Sequence, residues 1–258
     1  MELNQDIYNY CIDHDIPIEK LHLILNEPKV VPMIRGIGFE YVMQARIEDN
    51  FKKSKNFKVL KPSINAQLNI ADKDLEIHNI SSGKKYILEC KLSQNNSFKF
   101  KGRFSKSEYC QIKVMRSRTL GDNAIKLVQK HLKVSKKDLN EHRDSYHFSH
   151  FDYVITNLRN AFYRTIDGQF RFSPTEQEIE FLKSFFKVSS FEEIDEALKT
   201  NNYFAESKLL TPKFSGLDCR KKICSKNKEC EFIPNYPIFQ FQNENIWKNL
   251  ELLESDLT

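Results

Sequence analysis

Asp74, Glu89 and Lys91 are the residues of this chain whose types and spacing most readily form a reactive cluster. Asp74 opens the alternating stretch Leu75-Glu-Ile-His-Asn. Glu89 and Lys91 lie in a second stretch, Lys85-Tyr-Ile-Leu-Glu-Cys-Lys-Leu, beyond the turn Ser81-Ser-Gly-Lys. Two short alternating runs around a Gly-containing turn predict an antiparallel hairpin. Alternate side chains of a strand share a face, so Tyr86, Leu88, Cys90 and Leu92 point one way and Ile87, Glu89 and Lys91 the other. Asp74 falls at the open end of the partner strand. Two carboxylates and an ammonium thus meet on two strands alone, which suits phosphodiester hydrolysis. Carboxylate oxygens bind a hard divalent cation such as magnesium. The cation polarises a phosphoryl oxygen and acidifies water, and the lysine orients that water and stabilises developing negative charge.

Asp74, a spacer of fourteen residues and then Glu89-Cys90-Lys91 resemble the motif of the PD-(D/E)XK nuclease superfamily in its ECK form. Ala71-Asp72-Lys73 stands where the motif's proline would precede the aspartate. The ligand is therefore Asp74 or Asp72, and Asp74 is favoured because it abuts the apolar strand. Glu40, in Arg35-Gly-Ile-Gly-Phe-Glu-Tyr, matches the acidic residue that the family often carries on the helix before the hairpin. The resemblance spans about residues 35–160. It implies a restriction-endonuclease-like core in which Asp74, Glu89 and the Cys90 carbonyl bind Mg2+ and Lys91 stands at the water. Within the family the chain looks like a type II restriction endonuclease. That implies double-stranded DNA as substrate, a homodimer, and a cognate DNA methyltransferase in the same system. A structure-specific repair or junction nuclease and a non-catalytic DNA-binding protein are the alternatives.

Positive charge follows the motif. Lys91, Lys99, Lys101, Arg103, Lys106, Lys113, Arg116 and Arg118 lie in a stretch whose one acid is Glu108, interleaved with Phe98, Phe100, Phe104 and Tyr109. A charge run is usually a solvated face, but this one has the basic character of a phosphate-binding segment. Lys106, Lys113 and Arg116 suit phosphates, while Arg103 and Gln111 suit base edges. Asn157 and Arg159 end a later apolar run and are further candidates for DNA contact. Cys219, Cys224 and Cys230 offer three thiolates. A structural zinc site normally has four ligands and tighter cysteine pairs, so His142, His147 or His150 would have to supply the fourth. The plain reading is free thiols.

The elements that must position these residues follow from the pattern. Helices are expected in two pieces over 5–27, with Ile18, Leu21, Leu23, Ile24 and Leu25 as an apolar face. A longer helix is expected from Phe39 to Lys53 on Phe39, Val42, Met43, Ile47 and Phe51. Strands are expected at Phe57, in the hairpin, over Phe151–Leu158, at Gln169–Phe172 and at Ile238–Phe241. Helices are expected from Ser105 to Arg118, from Asp122 to Lys133, over 174–187 behind a Ser173 cap, over 190–200, and from Ile246 to Leu253. This predicts an α/β fold, a mixed central sheet flanked by helices, with a C-terminal helical lobe. The expected division is a nuclease core with N-terminal helices over 1–165 and a helical, cysteine-containing subdomain over 166–258.

The 258 residues carry a net charge of +5, with 20 Phe and 10 Tyr. That length can bury a large aromatic core. The acidic start MELNQDIYNYCIDHD lacks the apolar run of a signal peptide, and no stretch of about 18 apolar residues predicts a membrane span. The expectation is a cytoplasmic protein, with the Lys, Asn, Ile and Phe richness of an AT-rich bacterial genome.

Overall fold

Near residue 57 the apolar period changes from three-and-four to two, and the backbone changes with it. The computed structural model describes residues 2–62, 73–117, 119–132, 134–219, 221, 224, 229–242 and 246–258. Asp72 and Arg118 lie outside the described residues. In chain order the elements begin with helices α1 (Glu2–Asp13), α2 (Leu21–Leu25) and α3 (Val30–Phe51). Strands β1 (Phe57–Leu60), β2 (Leu75–Asn79), β3 (Lys85–Leu92) and β4 (Tyr109–Gln111) follow. Then come α4 (Asp122–Leu132), α5 (Lys136–Glu141), β5 (Tyr153–Asn157), β6 (Tyr163–Ile166) and β7 (Gln169–Phe172). The chain ends with α6 (Glu176–Phe186), α7 (Phe191–Thr200), β8 (Asn202–Glu206), α8 (Pro212–Ser215), β9 (Ile238–Gln240), β10 (Lys248–Asn249) and α9 (Leu253–Leu257). None of the described helices is long and apolar enough to cross a membrane.

The central sheet has six strands in the order β1-β2-β3-β5-β8-β10. All neighbours are antiparallel except β3 and β5, which run parallel. Parallel neighbours need a long crossover, and residues 93–152, with the basic segment, α4 and α5, provide it. The fold is mixed α/β, as expected.

One face of the sheet packs on α3. Phe39, Met43, Ile47 and Phe51 recur at helical spacing and meet Leu75, Ile77, Tyr86, Leu88 and Cys90. Each such side chain contributes about 1.5–3 kcal/mol on burial. The opposite face buries Val154 and Ala205 against Leu182 of α6 and Ile194 and Leu198 of α7. A third, smaller cluster joins Ile125 and Leu139 of α4 and α5 to Cys219, Cys224, Cys230 and Phe232.

The structure corrects several expectations. Helix α3 starts nine residues earlier than its apolar pattern, at Val30, and runs through Pro32, Gly36 and Gly38. Proline in a first turn lacks only an N–H that would be unpaired anyway. Val42 is exposed, as are Ile18, Leu23, Ile24 and Leu25 of the expected N-terminal apolar face. Residues 105–117 are not a helix. Gly102 N–H bonds to Ser105 O at 2.9 Å, Lys99 pairs with Tyr109, and β4 pairs antiparallel with β9. The true cap of α6 is Thr175, not Ser173, because Thr175 and Glu178 form a reciprocal capping box. Residues 246–253 do not form the expected helix. Lys248 and Asn249 pair with Phe204 and Tyr203 of β8, and the Asn249 side chain then caps a short 3-10 turn into α9. Strand β8 follows α7 directly, with no alternation long enough to announce it. The segment 166–258, expected as a helical, cysteine-containing subdomain with short strands at Gln169–Phe172 and Ile238–Phe241, thus also supplies two strands to the central sheet.

Candidate active site

The β2–β3 hairpin is closed by its turn chemistry. The Asn79 side-chain oxygen accepts from Ser81 and Ser82 N–H at 3.1 and 3.0 Å. Gly83 takes the left-handed conformation at φ 70°, a region open to glycine at little cost. The register pairs Leu75 with Leu88 as the last rung, so Asp74 comes opposite Glu89 one step beyond it. There the Asp74 carboxylate accepts the Cys90 N–H at 2.7 Å, which fixes it against the β3 backbone. Tyr86, Leu88 and Cys90 pack towards α3, with Leu92 beside them, while Ile87 packs into the opposite layer. The alternation expected of β3 therefore holds.

Lys91 Nζ lies 2.5 Å from Glu89 Oε1 and 3.6 Å from Asp74 Oδ2. Glu89 is buried at 3% exposure. Burial first, and the neighbouring Asp74 charge second, push its carboxyl above the usual range, against the pull of Lys91. Burial opposes the Lys91 charge too, but Glu89, Tyr146 and Asp74 outweigh it and hold the ammonium protonated. Glu40 projects from α3 and is ion-paired with Lys61. Burial raises its carboxyl despite that bond, and Asp74 adds to the rise. Three carboxylates thus stand close enough to feel one another, with two lysines among them.

Two partners of this cluster escaped the sequence reading. The Tyr146 hydroxyl lies within hydrogen-bonding reach of Glu89, and burial holds that phenol far above its ordinary pKa. Lys61 comes from the residue after β1. Nothing in the local pattern marks Tyr146, which lies 57 positions from Glu89. Arg116 belongs to the same wall. Its guanidinium stands 4.6 Å from the Tyr146 ring centroid, donates to Ser145 O at 3.2 Å and meets His150 Nε2 at 2.6 Å. A guanidinium only donates, so His150 must carry its proton on Nδ1, 2.9 Å from the His147 carbonyl. Burial, then Arg116, lowers the His150 pKa to about 4.

The remaining candidates divide. Arg103, Lys106 and Lys113 are exposed along the basic segment, and Gln111 is half-buried in β4. Asn157 is buried, and its amide nitrogen bonds to Leu198 O, Asn201 O and the Asn202 side chain while its oxygen accepts Arg159 N–H. Arg159 is ion-paired with Asp195 at 2.7 Å and donates to the Tyr163 hydroxyl. Both residues, expected at DNA, are engaged inside the fold. Cys219, Cys224 and Cys230 converge on His142, whereas His147 and His150 stand apart from them.

The carboxylates of Asp74 and Glu89 form an all-oxygen donor set of the kind a hard divalent cation takes, and crowded, partly buried negative charge favours that occupancy. Compared with known proteins, the chain matches no family model, no curated protein and no solved structure.

Proposed function

We propose that the protein is a magnesium-dependent endodeoxyribonuclease of PD-(D/E)XK type, acting as a type II restriction endonuclease on short duplex sites. The observation that carries this reading is the convergence of Asp74, Glu89 and Lys91 at one end of a buried hairpin, within 2.5–3.6 Å of the lysine ammonium. Asp74, Glu89 and the Cys90 carbonyl would hold the magnesium, which supplies Lewis-acid polarisation of the scissile phosphate and acidifies water.

The protein's own groups do the rest. Asp74 is tethered to the β3 backbone, so its free oxygen is held without side-chain searching. Tyr146 orients Glu89 from behind. Lys91 stays charged beside both carboxylates and stabilises negative charge that develops on the phosphate. Glu40 and Lys61 extend the same polar edge from α3 and β1. Arg103, Lys106 and Lys113 lie on the exposed segment that enters the β3–β5 crossover, where they suit phosphate and base-edge recognition. The apolar side chains left exposed on the N-terminal helices suit a homodimer, the form in which two sites cut two strands. A cognate methyltransferase would protect the host site.

The test is incubation of a long duplex with the purified protein and magnesium. Discrete fragments, abolished by methylation of one short site, are the expected result. A smear, or preference for branched DNA, favours the repair or junction nuclease. Binding without cutting in magnesium favours a DNA-binding protein whose acidic cluster is structural.

A further inference from the structure

Away from the carboxylates, the small third core gathers three cysteines and one histidine on a single point. Cys219, Cys224, Cys230 and His142 are all buried, and their four ligand atoms lie within 4.8 Å of one another. His142 Nε2 stands 3.8, 3.4 and 3.6 Å from the sulfurs of Cys219, Cys224 and Cys230, and the last two sulfurs are 3.6 Å apart. A tetrahedral zinc with Zn–S near 2.3 Å and Zn–N near 2.0–2.1 Å requires S···S edges of roughly 3.8 Å and S···N edges of roughly 3.5 Å. The three S···N distances and the Cys224–Cys230 S···S distance lie within about 0.3 Å of those values. They are far too long for a disulfide, and the cysteines are free thiols. They are also too tight for an iron–sulfur cluster, whose cysteines must surround a cage of several atoms.

The histidine is set up as a ligand. Its Nδ1 lies 2.7 Å from the Asp138 carbonyl. That bond places the proton on Nδ1 and turns the Nε2 lone pair towards the thiols, the usual outer-shell support of a metal-binding imidazole. Phe232 stacks on the ring at 3.9 Å with an interplanar angle of 11°. Leu139 and Ile125 close the cluster from α5 and α4.

We propose that Cys219, Cys224, Cys230 and His142 bind one zinc ion in a closed, structural site that clamps the loop after α8 onto the α4–α5 layer. The clamp holds a defined piece of backbone. His142 precedes one strand and Cys230 the other strand of a short antiparallel pairing, in which Phe148 N–H bonds to Glu231 O and Ile233 N–H to Tyr146 O. Asp144, two residues beyond the ligand His142, is gripped by Lys221 and Asn235. The same ladder carries Tyr146, which stands beside Glu89. Arg116, whose N–H bonds to Asp144 O at 2.9 Å, meets His150 next to it. Zinc therefore positions the wall of the carboxylate site from a distance, a consequence that rests on the nuclease reading, whereas the metal site does not.

The direct experiment is metal analysis of the full-length protein after exhaustive dialysis, with X-ray absorption of the same sample. One zinc per chain with a shell of three sulfurs and one nitrogen is expected. Cys224→Ser and His142→Ala should lower the stoichiometry well below one. If those variants fail to fold, the absorption shell of the native chain decides alone. A protein that retains less than a tenth of an equivalent after refolding in excess zinc overturns the proposal. So does a shell with one sulfur or none. Lys91→Ala should keep its full zinc content whether or not it cuts DNA, which separates this site from the activity. Removal of the zinc should speed amide exchange over 142–148 and 230–235 and leave β1–β2 unchanged. Unchanged exchange over 142–148 would refute the clamp.

Discussion

Glu89 shows what a single residue meets at this site. A carboxylate at 3% exposure is costly unless paired and hydrogen-bonded, and its partners are Lys91 and Tyr146. The D-x14-E-x-K spacing was legible because strand period and one turn fix it locally. Tyr146 was not, because its approach to Glu89 depends on the β3–β5 crossover and on the loop that carries the cysteines. Tyr146→Phe removes only the hydroxyl, so the fold should persist. Without an outer hydrogen bond to a metal-binding carboxylate, the cleavage rate should fall by about 10–100-fold. Single-turnover kinetics beside a thermal melt would check it, and an unchanged rate would place Tyr146 outside the mechanism. His150 makes a separate prediction. Its pKa is 6.5 ordinarily and about 4 in the fold, so the unfolded chain takes up its proton first as pH falls. Stability should therefore drop between pH 6.5 and 4, at up to about 1.4 kcal/mol per pH unit for this one proton. Denaturant midpoints across that window should slope less in His150→Gln than in the native chain.

At the scale of elements, sequence reading succeeded where one period dominates and failed where tertiary pairing decides. Helices α6 and α7 carry capping boxes and clear amphipathic faces. Residues 105–118 have polar spacing that fits a helix, yet Tyr109–Gln111 is drawn into a sheet by β9, a partner more than 120 residues away. The same holds for Lys248 and Asn249, which an open edge of β8 recruits. As an exposed β loop, the basic segment presents Lys106 and Lys113 to solvent while Arg116 turns inward. Replacing Lys106 and Lys113 with Ala should weaken duplex binding in calcium. It should also flatten the salt dependence, by about one unit of slope for each phosphate no longer neutralised. Sequence preference should survive, since phosphates carry no base identity. An unchanged slope would mean that the segment faces bulk solvent and DNA lies elsewhere.

For the molecule as a whole, the order of helix, hairpin, crossover and later strand was readable, and it led to the mixed sheet. The sequence did not reveal that residues 202–206 and 248–249 extend that sheet, because short strands following helices carry too few alternations to register. Nor did it reveal where the N-terminal helices lie. Met33, Ile34, Ile37 and Tyr41 of α3 are exposed, as are Tyr8 and Tyr10 of α1, an apolar surface of the kind that marks an interface. If it joins two copies, light scattering should give twice the chain mass, and Met33→Asp with Ile37→Asp should yield monomers with the melting temperature little changed. A native monomer at tens of micromolar would rule the dimer out.

The central claim is that Asp74, Glu89 and Lys91 hydrolyse DNA with magnesium. The most direct measurement is the cleavage rate of one duplex by the native protein and by Asp74→Asn, Glu89→Gln, Lys91→Ala and Asp72→Ala, each in magnesium and in chelator. The native protein should cut only with magnesium. The first three variants should lose activity by orders of magnitude while keeping their melting temperature, and Asp72→Ala should be milder. Vigorous cutting in chelator, or full activity in Glu89→Gln or Lys91→Ala, would contradict that claim.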